Sequence, residues 1–467
     1  MNRLSQSVMR AWIGLGSRFL PFADAATPDL PLPRLLRLSL FQVSVGMSLV
    51  LLVGTLNRVM IVELGVPASL VAIMLAIPLV FAPFRALIGF KSDNHRSELG
   101  WKRVPYIYKG TMIQFGGLAI MPFALLVLSG SGHAASVPAW IGQVSAGIAF
   151  LLVGAGIHIT QTAGLALATD LAPVESQPKV VGFMYVMLLL GSIASALIFG
   201  AALADFTPGR LIQVIQASAV ATLVLNGVAV WKQEARGRSH ARRGGQPDPS
   251  FRDSWNCFIA GGQAIRRLTA VGLGTLAFSM QDVMLEPYGG QILGLTVSDT
   301  TKLTAAMAGG GLVGFGLASH VLSRGADPFR MACYGALFGV PAFIMVIVAA
   351  PLGSVVLFGL GTLLVGFGAG LFGHGTLTAT MNFAPPDQRG LALGAWGAVQ
   401  ATAAGLGVAL GGIVRDVLLA AGPAGAGTAL TPYVSVYVIE VILLLTAIAV
   451  MFQLVRRSDL RSNAEAG

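Results

Sequence analysis

Ser279-Met280-Gln281-Asp282-Val283-Met284-Leu285-Glu286-Pro287-Tyr288-Gly289-Gly290 lies inside an apolar run, about residues 268–295, that is long enough to cross a bilayer. Carboxylates are costly at membrane depth and usually face a bundle interior or a cavity. Asp282 and Glu286 are four residues apart, so a continuous helix would place them on one face. Because like charges repel, we expect one of the two to be protonated, paired or coordinated. Pro287 removes a backbone donor and Gly289-Gly290 loosens the helix beyond it, which predicts a covered break there. The alternative is a helix end near the interface, with both acids in water.

The composition is that of an integral membrane protein. Of the 467 residues, 55% are hydrophobic and 11% are charged, whereas a soluble domain has roughly 25% charged residues. The net charge of +10 does not indicate nucleic-acid binding, because the basic residues lie in short loops where they set topology. The partner that composition implies is the lipid bilayer. Cys257 and Cys333 are too few for a disulfide framework.

Apolar runs of spanning length recur along the whole chain and predict about twelve transmembrane helices. A basic segment rich in glycine and proline, Lys232 to Arg252, separates six runs from six. We therefore predict an all-α protein with five parts. They are a cytoplasmic N-terminal interfacial segment (1–34), a six-helix half (35–231), a basic linker with a short surface helix (232–266), a second half (267–456) and a tail (457–467).

Loop charge predicts the orientation. The loops on the side of the N-terminus hold most of the lysines and arginines, whereas the opposite loops hold few beyond Arg58, Arg210, Lys302 and Arg415. By the positive-inside rule, both termini are expected in the cytoplasm. Arg58 and Glu63 flank the outer end of the first span and are expected to be interfacial.

An internal repeat relates the two halves. Val153-Gly154-Ala155-Gly156 leads to Asp170-Leu171-Ala172-Pro173, and at a constant offset Val365-Gly366-Phe367-Gly368 leads to Asn382-Phe383-Ala384-Pro385. A weaker match joins Gly89 and Asp93, after the second span, to Gly316 and His320, at the end of the eighth. Two parallel six-helix halves are typical of the major facilitator superfamily, whose sites lie between the halves.

Several polar residues inside the spans are candidates for a site. His158 and Gln161 lie in span four and His374 in span ten, and a neutral imidazole can ligate a metal. The alternative for each histidine is a hydrogen bond to a neighbouring helix.

Arg85, Lys109 and Asp170 could pair across the first half or bind an anionic group, while snorkelling to the interface explains Lys109 and Asp170 equally well. The spacing shows neither a nucleophile–base pair nor a His/Cys/Asp cluster, so we expect neither an enzyme nor a protein-caged metal.

Five stretches carry a family resemblance. Residues 56–64, 81–89, 103–108, 161–170 and 281–289 (Gln-Asp-Val-Met-Leu-Glu-Pro-Tyr-Gly) resemble the bacteriochlorophyll delivery family, PucC/LhaA type, of purple phototrophic bacteria. The resemblance covers nearly the whole chain. It implies a facilitator-fold protein that helps to assemble light-harvesting complexes and delivers bacteriochlorophyll to antenna peptides.

On this resemblance Glu286, His374, His158 and Gln161 become candidate ligands for the magnesium of a transiently held bacteriochlorophyll, because that ion accepts nitrogen or oxygen. A carotenoid is a second candidate pigment. Bacteriochlorophyll synthase and the membrane insertion machinery are candidate partners besides the antenna peptides. The alternative functions are a proton-coupled secondary transporter, with Asp282 and Glu286 as coupling acids and Arg85 as substrate anchor, and a scaffold that binds no pigment.

Overall fold

The computed structural model describes residues 26–27, 30–80, 88, 92, 101–129, 138–173, 176–234, 264–383, 389–421 and 430–465. All regular structure in these ranges is helical, which confirms the predicted all-α class. In chain order the helices are α1 (Leu32–Leu49, continued by π-helical turns Val50–Leu56 and Val59–Glu63), α2 (Ala68–Val80), α3 (Val104–Leu128), α4 (Ala139–Asp170), α5 (Gln177–Ala202), α6 (Pro208–Val230), α7a (Ala264–Met280), α7b (Leu285–Gln291), α8 (Val297–Leu322), α9 (Pro328–Ala349), α10 (Val355–Phe383), α11 (Arg389–Ala421) and α12 (Leu430–Glu465).

Eleven helical spans in the described ranges are long and apolar enough to cross a membrane, and α2 adds a shorter apolar helix. The number agrees with the prediction of about twelve. Arg85, Gly89, Asp93, most of the N-terminal segment and the linker from residue 235 to 263 lie outside the described residues.

The two ends of the bundle are distinguished by the chain path. We call the end where α1 and α7a begin the linker end, and the opposite end the far end. At the linker end Arg34 donates to Gln233 through Nε (3.0 Å to Oε1) and through its terminal nitrogen (2.6 Å to the backbone oxygen). These bonds join the start of α1 to the end of α6, so the first half closes on itself.

Paired glycines repeat the same helix contact in both halves. A Cβ added to Gly156 of α4 would lie 2.6 Å from the carbonyl oxygen of Gly110 in α3. A Cβ added to Gly368 of α10 would lie 2.7 Å from the carbonyl oxygen of Gly335 in α9. Gly156 and Gly368 are equivalent in the sequence repeat, so the repeat has a structural counterpart in the closest helix approaches.

The break in the seventh span lies earlier than we predicted from Pro287 and the glycine pair. The chain leaves the α-helix at Gln281–Val283, which forms a short 3₁₀ turn, and Pro287 and Gly289 lie inside α7b. A proline lacks the N–H that would bond four residues back, and its ring clashes with that carbonyl. The disturbance therefore falls on the turn before Pro287, where Val283 is, and the residues after it resume the helix.

Candidate functional site

A cavity of about 500 Å³ lies between the two halves, beside the break. Its walls are mainly apolar, and they come from α1 and α5 of the first half and from α7a, α8, α10 and α11 of the second. The residues of the wall that carry polar or aromatic character are Tyr185, Ser192, Thr275, Phe278, Ser279, Gln281, Asp282, Thr304, Phe315, Phe372, His374, Trp396 and Gln400.

The far end of this cavity is closed by contacts between the halves. Ser298 donates to the carbonyl oxygen of Gly200 at 2.6 Å, and the hydroxyl oxygens of Thr55 and Thr301 are 3.4 Å apart. Arg58, which is 4% exposed, donates to the carbonyl oxygen of Leu295 at 3.1 Å. Contrary to our expectation of an interfacial residue, Arg58 is buried, because it joins α1 to the segment that follows α7b.

Asn57 of α1 satisfies the backbone of the break. Its side-chain amide donates to the carbonyl oxygens of Asp282 and Val283, each at 3.3 Å. The side chain is fully buried, where unpaired carbonyl groups would be costly. The break is therefore held by the opposite half of the molecule, and a movement between the halves would change its hydrogen bonding.

Asp282 lies in this break and Glu286 in α7b beyond it, and the two acids have different surroundings. Asp282 lines the cavity, and its Oδ1 accepts from Nε2 of Gln281 at 2.5 Å. Glu286 is 3% exposed, and its Oε1 accepts from the hydroxyl of Thr304. Glu286 is therefore buried away from water, whereas Asp282 is half-buried on the cavity wall.

His374 lines the cavity on α10, in the part of that helix nearer the linker end. Its ring is edge-on to Phe315, with 4.4 Å between the ring centres. The imidazole thus lies within an aromatic wall, and Asp282 lies on the same cavity at the level of the break. A ligand there would meet an imidazole and a carboxyl group joined by apolar surface.

His158 and Gln161 do not join this site. Both lie on α4, and neither lines the cavity. Nε2 of Gln161 donates to the side-chain oxygen of Gln42 on α1 at 3.3 Å, which is a contact between neighbouring helices of the first half. The structure therefore brings together His374 and Asp282, places Glu286 next to them behind Thr304, and leaves His158 and Gln161 elsewhere.

Lys109 and Asp170 lie at the surface rather than in the interior. Lys109 is exposed, with its ammonium 5.7 Å from the centre of the Tyr106 ring. The side chain of Asp170 is 51% exposed and accepts from Nε of Arg103 at 2.9 Å. Both are near the linker end, where a long or terminal side chain can reach polar surroundings, so snorkelling explains them.

In the weaker sequence match, of Gly89 and Asp93 with Gly316 and His320, the described residues also lie at the linker end. Arg103 also donates to the hydroxyl of Ser92 at 2.6 Å, so it joins the segment after α2 to the end of α4. His320 is exposed in the last turn of α8, four residues after Gly316. The described residues of the motif therefore lie at the linker end, away from the cavity.

Sequence reasoning missed one acid inside the membrane. Glu440 of α12 has no exposed surface. It stands alone in the apolar run 432–455, and a single acid in such a run is itself the signal that could have found it. Asn57 was visible in a quoted stretch, but nothing in its sequence context indicated that it would cap a break 225 residues away.

Protein comparisons agree along nearly the whole chain. A family model described as PUCC protein matches residues 55–459. Protein PucC of Rhodovulum sulfidophilum is 64% identical over 420 residues, covering 90% of this chain and 92% of that protein. Protein PucC of Rhodobacter capsulatus is 60% identical over 444 residues, covering 94% and 96%. A bacteriochlorophyll synthase 44.5 kDa chain of Rhodobacter capsulatus is 29% identical over 402 residues, covering 82% and 88%.

Solved structures agree in fold. A bacterial homologue of the human lysosomal transporter Spinster, in an inward-facing and occupied conformation, has a TM-score of 0.67 at 14% identity, covering 90% of this chain and 96% of that one. The nucleoside transporter NupG has a TM-score of 0.65 at 15% identity, covering 90% and 99%. These likenesses confirm the predicted major facilitator fold and carry no statement about substrate. With the family match, they show that this chain belongs to the PUCC protein family and has the major facilitator fold.

Proposed function

We propose that this chain is a membrane assembly factor for bacterial light-harvesting complexes, and that it holds bacteriochlorophyll in the central cavity and delivers it to antenna peptides. The observation that carries the proposal is the cavity of about 500 Å³ with His374 on its wall. That volume lies within the range of roughly 300–1,000 Å³ common for small-molecule sites, which are mostly apolar with a few polar anchors.

The side chains present fit a chlorin. The imidazole of His374 would ligate the magnesium of the pigment, and Phe315 and Trp396 offer aromatic surface on the same cavity. Glu286 is a weaker candidate ligand than His374, since its carboxyl group already accepts from Thr304.

The relatives support the proposal that bacteriochlorophyll is bound only through their names. One relative is called a bacteriochlorophyll synthase chain, and the family match covers the residues of the cavity wall from Tyr185 onward. Antenna peptides are the proposed recipients, and bacteriochlorophyll synthase and the insertion machinery are proposed as further partners. A carotenoid is proposed as a second pigment for the same apolar walls.

The test is the absorption spectrum of the protein purified in mild detergent from a phototrophic host that lacks antenna peptides. We expect a stoichiometric bacteriochlorophyll band that falls in His374→Ala. His158→Ala is the matched control, because it removes the same side chain from a helix of the same bundle outside the cavity. A colourless preparation that still supports antenna assembly would reject pigment carriage, and so would equal loss of pigment in both variants.

A proton-coupled secondary transporter is the second candidate, and one observation favours it: Asp282 lies on the cavity wall at a break that the opposite half holds. In that case pH-dependent uptake would be abolished by Asp282→Asn and unaffected by replacement of the exposed Asp205. The proposed substrate anchor, Arg85, is outside the described residues, so its part stays a prediction.

We also propose that both termini are cytoplasmic and that the membrane is the bacterial inner membrane. Basic residues at the linker end support this orientation, among them Arg34, Arg103, Arg266 and Arg324. Reporter fusions after residue 234 and after residue 351 test it. A reporter active only in the cytoplasm should work at the first site alone, and the reverse pattern would overturn the orientation.

A further inference from the structure

A second pocket lies at the linker end, where the start of α1 meets the end of α6. It is lined by Pro31, Pro33, Arg34, Arg37 and Lys232, and its volume is about 500 Å³. Three of these five residues are cations, and none of them is an acid. The pocket shares no residue with the wall of the central cavity. We call it the basic pocket.

The fold fixes the position of all three cations. Arg34 and Arg37 are three residues apart on α1, so they lie on the same side of that helix. Lys232 follows α6 and has a φ of 52°, a left-handed conformation that residues with a side chain seldom adopt. The next residue, Gln233, accepts two hydrogen bonds from Arg34 and donates one to its carbonyl oxygen at 3.1 Å. These bonds hold the strained turn and keep Lys232 beside the two arginines.

Two of the cations have unused binding capacity. Nε of Arg37 is buried and has no hydrogen-bond partner among the described residues. Neither Arg37 nor Lys232 forms an ion pair in the described part of the chain. A buried donor without an acceptor is costly. An anion with several acceptor oxygens would remove that cost.

The neighbouring acids are engaged elsewhere. Glu234, two residues after Lys232, accepts from the backbone N–H groups of residues 102–104 at 2.7–3.2 Å. Asp170 accepts from Nε of Arg103 at 2.9 Å. Because both carboxylates already have donors, they leave the positive charge of the basic pocket uncompensated.

The surroundings place the basic pocket at the level of lipid head groups. Trp231, directly before Lys232, is 65% exposed, and Tyr108 near the start of α3 is 62% exposed. Exposed tryptophan and tyrosine side chains are typical of the membrane–water interface. Further along the same helices, Leu35 and Ala229 belong to one buried apolar cluster. A ligand with a charged head and apolar chains matches this order of surroundings.

We propose that the basic pocket binds the phosphate group of an anionic phospholipid. A guanidinium group can bind phosphate oxygens through two parallel hydrogen bonds, and basic pockets between membrane helices favour anionic head groups. Arg37 donates to the phosphate and Lys232 supplies a second charge, while the acyl chains remain in the bilayer. The bound lipid joins α1 to α6, where the first half closes on itself. This inference goes beyond the proposed function and does not depend on what the central cavity binds.

Native mass spectrometry of the full-length protein in detergent, titrated with phosphatidylglycerol, tests the proposal. We expect one tightly held lipid, with affinity at least about tenfold weaker when Arg37→Gln and Lys232→Gln are combined. Arg37→Lys keeps the charge but loses the planar fork, so its affinity should be intermediate. Phosphatidylcholine should bind more weakly than phosphatidylglycerol, because it has no net charge. Equal concentrations of inorganic phosphate should not displace the lipid, because the free ion has no acyl chains.

The matched control combines Lys109→Gln and Arg324→Gln, which removes two exposed positive charges at the same end of the bundle outside the basic pocket. It should leave the affinity unchanged. Equal loss of lipid in the two double variants would overturn the proposal, and so would unchanged affinity in the pocket variant. Displacement of the lipid by inorganic phosphate would assign the pocket to the free ion and overturn it as well. Failure of pigment binding in the absorption experiment would leave this result intact, so the two proposals can fail separately.

Discussion

Replacement of Gly156 by alanine tests how closely the helices pack. The added Cβ would lie 2.5 Å from the backbone nitrogen of Gln114 and 2.6 Å from the carbonyl oxygen of Gly110. Ordinary contact begins at 3.4 Å, so α3 and α4 would have to separate by about 0.8 Å at this point. Both obstacles are backbone atoms, which cannot rotate away as a side chain would.

Overpacking of this kind costs roughly 1–3 kcal/mol of unfolding free energy. The displacement also strains the buried hydrogen bond from Nε2 of Gln114 to the hydroxyl of Ser48, which is 2.6 Å long and joins α3 to α1. Loss of that bond would add about 1 kcal/mol. We therefore expect Gly156→Ala to lower the unfolding free energy by roughly 2–4 kcal/mol in total.

Gly147→Ala is the matched control on the same helix, because a Cβ there would meet nothing within 4 Å. Alanine is the better helix former, so this variant should be more stable by about 0.5–1 kcal/mol. The assay is denaturant unfolding of both variants in mild detergent, followed by circular dichroism. Gly368→Ala should behave like Gly156→Ala, since it blocks the equivalent contact in the second half. Equal stability of Gly156→Ala and Gly147→Ala would refute the argument.

Three further predictions concern hydrogen bonds that hold the helices of the bundle together. Asn57→Ala should lower the unfolding free energy by about 1–3 kcal/mol, because two buried carbonyl groups lose their donor. Asn57→Asp should lower it further in the same denaturant-unfolding assay. A stability of Asn57→Ala equal to that of the wild type would contradict the capping role. Arg103→Lys should also destabilise the protein, since the guanidinium reaches Asp170 and Ser92 through separate nitrogens of a rigid fork, whereas all donors of an ammonium are on one nitrogen. Double-mutant cycles with Asp170→Asn should show coupling between the two sites. Arg58→Gln should loosen the contacts at the far end. In a background with both native cysteines replaced by serine, the cysteine of Thr301→Cys should then react severalfold faster with a thiol reagent. An unchanged rate would mean that Arg58 does not close that end.

The site shows where sequence reasoning could reach and where it could not. A carboxylate in an apolar run is informative by itself, because burial of charge is costly wherever the helix lies. This is why Asp282 and Glu286 could be identified and why Glu440 could have been. Lys109 and Asp170 were ambiguous, because their spans are polar near one end. A sequence does not give the depth of each residue in the membrane, and the cost of its charge depends on that depth.

Contacts between helices, by contrast, cannot be predicted from the local sequence. In the sequence repeat His374 corresponds to Thr162, one helical turn from His158, and yet His374 lines the cavity and His158 does not. Which face of a helix meets the cavity depends on its rotation and tilt in the bundle, and these follow from packing against neighbours rather than from local composition. The role of Asn57 could not be predicted from the sequence for the same reason, since its hydrogen-bond partners are on the other half.

The sequence by itself determined the membrane class, the number of spans, the two related halves and the presence of a disturbance near Pro287. All of these follow from local hydrophobicity, from self-similarity or from the chemistry of one residue. Only the tertiary structure decided that the disturbance begins at Gln281, that Asn57 holds it, and that His374 and Asp282 share one cavity. The physical reason is that these facts depend on side chains far apart in the chain, which packing of the helices brings within hydrogen-bonding and electrostatic range.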